Sequence, residues 1–115
     1  MARRVRIHAD FRRDLSAQAT WLRRNAEPSW LDRLDADLDR IAELVAMYPA
    51  AGPMTGRSGS VVLRQIVFPT TPYLAWYVYD SRSARGDAWL VRLFHAHQLR
   101  PAPDLSRWLA AVEAR

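Results

Sequence analysis

Between positions 28 and 48, Leu31, Leu34, Leu38, Ile41, Val45 and Tyr48 follow one another at spacings of 3, 4, 3, 4 and 3. Apolar residues at that rhythm fall on one stripe of an α-helix, and a strand would scatter them over both faces. The pattern predicts a helix over 28–48 that must bury this stripe. Pro28 suits the first turn, where a missing N–H is not needed, and Pro49 ends the helix. Asp32, Asp35 and Asp39 form the expected acidic outer face, with Arg33 and Asp37 an i,i+4 pair.

The flanking segments supply the surfaces for that stripe. Residues 10–25 carry Phe11, Leu15, Gln18 and Leu22 on a second helical stripe, with Asp10 as the expected N-cap and Asn25 as the stop. A short connection makes the two helices an antiparallel hairpin. Residues 3–8 alternate instead, Val5 and Ile7 against Arg4, Arg6 and His8, which predicts a short strand. The stretch 52–60 holds three of the four glycines and reads as a loop, either a plain connection or a lid.

Three strands are expected next, over 61–68, 73–80 and 88–95, joined by short turns into an antiparallel meander. In the middle one, Tyr73, Ala75, Tyr77 and Tyr79 alternate with Leu74, Trp76 and Val78, so both faces are apolar and both need a cover. The hairpin covers one. Leu105, Trp108, Leu109 and Val112 repeat at helical spacing after Asp104, a candidate N-cap, and predict a tail helix that covers the other. Pro101 and Pro103 hinge this tail, so a partner could displace it. The expected fold class is α+β: one domain over 1–115, β-α-α-β-β-β with a C-terminal helix.

A chain of 115 residues buries roughly 65% of its unfolded surface, enough for one core without staples. With no cysteine there is neither a disulfide framework nor a thiolate metal site. No signal-peptide core and no apolar run of about 20 residues is present, which makes cytoplasm the expected location and a membrane partner unexpected. The net charge is +5, with every basic side chain an arginine. Absence of lysine fits either anion recognition or a GC-rich codon bias; the net charge favours an anionic partner.

Few residues could carry chemistry. Three histidines with no carboxylate close to the His95–His97 pair give no convergent metal ligands, and no cofactor is implied. No serine sits in a nucleophile elbow, and no glycine-rich phosphate loop precedes a helix. What remains is Arg64 and Arg92 in mid-strand, and His95 at a strand end. A mid-strand arginine among apolar residues needs an anion, which could be a ligand or an internal carboxylate such as Asp10 or Asp80. Arg92 is expected on the face of Ala88, Leu90 and Phe94, opposite Trp89, Val91 and Leu93. Alternation then sets Arg92 and His95 on opposite faces unless a bulge intervenes. His95 could exchange a proton or cap its strand.

The element order resembles that of the RelE/ParE toxin superfamily of bacterial toxin–antitoxin modules, from about Val5 to Leu99. Four places carry the resemblance: Leu-Val-Ala-Met-Tyr-Pro-Ala-Ala-Gly at 44–52, Val-Leu-Arg at 62–64, Pro-Tyr-Leu-Ala-Trp-Tyr-Val-Tyr-Asp at 72–80, and Leu-Val-Arg-Leu-Phe-His-Ala-His-Gln at 90–98. The resemblance implies a toxin held as a hetero-oligomer by a cognate antitoxin, whose extended part wraps it. It implies one of two targets. RelE-like members cut mRNA on the ribosome with sheet-borne basic residues, and there Arg64, Arg92 and His95 would be catalytic. ParE-like members poison DNA gyrase without that set. The lysines of the nuclease pattern are absent, and Leu74 stands where its arginine would follow the tyrosine. The ParE-like ending also lacks its arginine, reading His95-Ala96-His97-Gln98. These departures favour the ParE-like side and leave open the nuclease and a non-toxic, antitoxin-binding member.

Overall fold

The computed structural model describes residues 2–114. Its elements are β1 (Val5–Ile7), α1 (Ala9–Asn25), α2 (Ser29–Met47), β2 (Met54–Ser58), β3 (Val61–Val67), β4 (Tyr73–Asp80) and β5 (Ala88–His95). A 3-10 turn (Leu105–Arg107) then runs into α3 (Leu109–Glu113). The strands form one five-stranded sheet in the order β1-β5-β4-β3-β2. The architecture is mixed α+β, with two helices packed on the sheet and a C-terminal helix.

Both faces of the sheet are covered, as the alternation in β4 requires. Tyr73, Ala75, Tyr77 and Tyr79 pack with Phe11, Leu22, Leu34, Ile41 and Val45 of the two helices. Leu74, Trp76 and Val78 pack with Val91, Phe94, Leu105 and Trp108, so the tail is docked. Its cap is the expected one, Asp104 accepting from Ser106 N–H, but it opens as a 3-10 turn and its α-helical part has only five residues.

Five local expectations fail for identifiable reasons. The presumed loop 52–60 contains β2, a polar edge strand whose residues pair with β3 through a bulge between Met54 and Gly56; one row of hydrogen bonds needs no apolar pattern. The meander is antiparallel, but β1 runs parallel to β5, because the hairpin carries the chain back before the sheet is laid down. Tyr48 leaves the helical stripe and is 64% exposed, since Met47 is the last helical residue. Asp37 is not on the outer face: it is 1% exposed and takes the hydroxyls and N–H groups of Thr70 and Thr71 at 2.7–3.1 Å. Arg33 instead donates to Thr70 O at 2.6 Å. The cap of α1 is His8, whose Nδ1 accepts from Asp10 N–H at 3.0 Å, which frees the Asp10 carboxylate for another role.

A bulge sets the faces of β5. Tyr77 pairs with Leu90 but Trp76 with Arg92, so Val91 is the extra residue. Alternation changes phase there. Ala88, Leu90 and Leu93 face the helices, and Trp89, Val91 and Phe94 face the tail. Arg92 therefore joins Phe94 on the tail face, and Leu93 joins the helical core, the reverse of strict alternation.

Candidate functional site: the tail-covered face of the sheet

The three basic residues singled out by sequence do not converge. Arg64 lies on the helical face beside Val62 and Ile66, with Nε 2.9 Å from Tyr79 Oη and Nη1 2.9 Å from Gly52 O. No carboxylate answers it; two neutral oxygens do. It thereby holds the chain between α2 and β2 against the sheet. The Tyr77 hydroxyl does the same from the next strand, donating to Pro49 O at 2.5 Å and accepting from Gly52 N–H at 3.2 Å. Burial pushes the Tyr77 phenol pKa up, as suits a permanent donor.

Arg92 is answered by a carboxylate, but not by Asp10 or Asp80. Its Nε sits 2.6 Å from Asp14 Oδ2, and the same oxygen accepts the Leu93 N–H at 3.0 Å. The short β1 ends its pairing at Leu90, so beyond it the edge of β5 is open. Asp14, one turn into α1, closes that edge. The Arg92 guanidinium also lies 4.8 Å from the Phe94 ring.

His95 faces the helices at the far end of β5. Its ring meets Tyr73 edge-on at 5.5 Å, and its Nδ1 accepts from His97 N–H at 3.2 Å. It borders a cavity of about 210 Å³ with Trp21, Trp30 and Tyr73. By the pairing, Arg64 lies opposite Tyr77 and His95 opposite Tyr73. Four positions along and two strands across place their Cα atoms roughly 17 Å apart. Arg92 is on the other face. One scissile phosphate could not touch all three in this arrangement.

What the structure does bring together is a set centred on Asp10, which the sequence offered only as a cap. This carboxylate is 7% exposed. It accepts the Trp108 indole N–H at 3.0 Å, Arg107 at 3.3 Å and Arg13 at 3.2 Å. Burial would raise its pKa; the hydrogen bonds from Trp108 and Arg107 outweigh that and hold it below the usual aspartate value. One buried carboxylate thus pins the tail to the start of α1. Beneath the tail, Trp76, Arg92, Arg107 and Trp108 line a cavity of about 200 Å³. The clue in the sequence was Asp10 and Asp14, two acids one helical turn apart beside Phe11, where an outward polar face would be expected to be continuous with Arg12 and Arg13.

Among the described residues no three histidines or carboxylates are placed to hold a metal ion. Nor is any helix long and apolar enough to cross a membrane. No protein-family model, curated protein or solved structure matches the chain.

Proposed function

We propose that this chain is the toxin of a type II toxin–antitoxin module, of the ParE-like kind: a binding inhibitor of DNA gyrase, kept silent by a cognate antitoxin in the cytoplasm. Three things support the reading. The order β-α-α-β-β-β with a closing tail, to which β2 is an added edge strand, agrees with the order on which the resemblance was drawn. The dispersal of Arg64, Arg92 and His95 over two faces and two ends of the sheet favours binding over strand scission. The observation that carries the antitoxin is the tail-covered face: Leu74, Trp76, Val78 and Phe94 are buried under two short turns held by Asp10. An acidic, extended partner could take over that apolar face and offer Arg107 a carboxylate in place of Asp10.

A second reading rests on the cavity beneath the tail. Arg92 and Arg107 border it together with Trp76, so a displaced tail would expose two guanidinium groups near an aromatic ring. This is the arrangement that the ribosome-dependent nuclease would require, with Arg92 rather than Arg64 or His95 at its centre.

Pulse-labelling after inducing the chain alone in a bacterial host separates the two. Loss of thymidine incorporation before amino-acid incorporation is expected. The reverse order transfers the proposal to the nuclease. No inhibition of either leaves the non-toxic, antitoxin-binding member.

A further inference from the structure

The most spacious cavity described lies at the junction of β1 and α1, away from the tail-covered face and from all three residues considered above. Its volume is about 630 Å³, and Arg6, His8, Arg12 and Trp89 line it together with the backbone of β1 and Ala111 of α3. No carboxylate is among its lining residues. Its polar side chains are therefore nearly all donors. The Arg6 guanidinium lies flat over the Trp89 ring at 4.6 Å. The His8 ring meets the same indole edge-on at 6.2 Å. Because His8 Nδ1 accepts from Asp10 N–H, a neutral His8 carries its proton on Nε2, the nitrogen left to donate outward. Arg12 is exposed and forms no ion pair among the described residues.

The surrounding charge has the same sign. Arg4, Arg13 and Arg107 stand at the rim with side chains 56–70% exposed. The two nearby carboxylates, Asp10 and Asp87, are 10% and 26% exposed and already accept from arginines. Asp87 is held below the usual carboxylate range first by its hydrogen bond from Arg4. By contrast the acidic residues Asp32, Asp35, Asp39 and Glu43 all lie on α2. The charge of the molecule is thus polarised, and its positive end is a groove with a planar stack in its floor.

We infer that this groove binds single-stranded nucleic acid, with a phosphodiester held by Arg12 and His8 and a base stacked on the outer face of the Arg6 guanidinium. Guanidinium planes and indole rings both accept stacked bases, and phosphate oxygens are the acceptors that a donor-lined groove lacks. This is independent of the antitoxin reading, since it uses neither the tail-covered face nor Arg92.

The test is fluorescence anisotropy with a labelled 12-mer of uridine, about 12 nucleotides being the span of a site of this kind, titrated with the full chain at several salt concentrations. The wild type is expected to bind with a negative salt slope. Arg12→Ala alone, which removes no ion pair, is expected to weaken binding several-fold. Arg6→Ala with Arg12→Ala should weaken it at least about tenfold and reduce the salt slope by about 1.4, near 0.7 for each lost contact to a single strand. Arg23→Ala with Arg24→Ala removes the same charge at the other end of α1 and should leave binding within about twofold. The inference is overturned by absence of binding at low salt, or by equal losses in the two double variants. It is also overturned if polyglutamate of equal charge competes as well as unlabelled oligonucleotide, which would make the groove a site for acidic peptide.

Discussion

Trp108 donates its indole N–H to Asp10 at 3.0 Å, joining positions 98 apart in the chain. That bond, with those from Arg107, fastens the last structured turns to the first turn of α1. Asp10→Ala should leave the buried indole N–H without a partner and destabilise the fold by about 2–3 kcal/mol. Arg107 is exposed enough for water to answer it. Trp108→Ala should lose more, about 3–5 kcal/mol, by opening a void beside Trp76. Urea denaturation measures both. Limited proteolysis should show cleavage within 99–114 rising in both variants ahead of global unfolding.

The pH dependence follows from the same carboxylate and from Asp37. Asp37 is pushed up by burial and pulled further down by hydrogen bonds from Thr71 and Thr70, so its pKa, like that of Asp10, is below the usual value. The unfolded chain then binds more protons than the folded one in acid. Their contribution is fully present above the unfolded pKa of about 3.9 and is lost as pH falls through the lower folded values. Thermal melting should be flat with respect to these groups from neutrality to about pH 5 and fall steeply below about pH 4. In Asp10→Asn the acid limb should be shallower.

Asp37 should be among the least replaceable residues in α2. Asp37→Ala abandons two N–H and two O–H donors of the turn between β3 and β4, one of them buried with Thr71. A loss of about 3 kcal/mol or more in unfolding free energy is expected. Asp37→Asn should recover part of it.

Gly52→Ala tests the link between α2 and β2. A Cβ at position 52 would stand 2.0 Å from Gln65 O, a backbone atom of β3 that cannot step aside. The chain would have to lift from the sheet, weakening the bonds from Tyr77 and Arg64. A drop of at least about 2 kcal/mol is expected in the same denaturation assay.

The helices and the three apolar strands were legible in the sequence because each element buries one face, and a buried face leaves a period. Leu34, Ile41 and Val45 announce α2 in this way, as do Tyr77 and Val78 for the two sides of β4. What left no period could not be read. The β2 strand pairs through its backbone with side chains mostly in water. Asp37 is buried at a position where charge spacing on a helix argues for exposure, and its reason lies 33 residues away in Thr70. The phase change at Val91 is a single extra residue inside an apolar run, where one apolar residue looks like another. Of the candidate residues, Arg92 was correctly expected to need an anion, but Asp14 could be identified only once α1 had been laid along the end of β5.

The parallel pairing of β1 with β5 has a consequence for the order of events in synthesis. Ile7 is among the first residues made, and its partner Leu90 is among the last. The first strand therefore has no place to go while the hairpin and the meander are being assembled, and the gap must be closed by one long-range contact late in folding. Asp10 and Asp14, which fasten the tail and the open edge of β5, lie just beyond that strand and must wait with it. A nascent chain released early would carry a partly built sheet with one face bare, so whatever this protein binds through its finished surfaces it can bind only after translation of the chain is nearly complete.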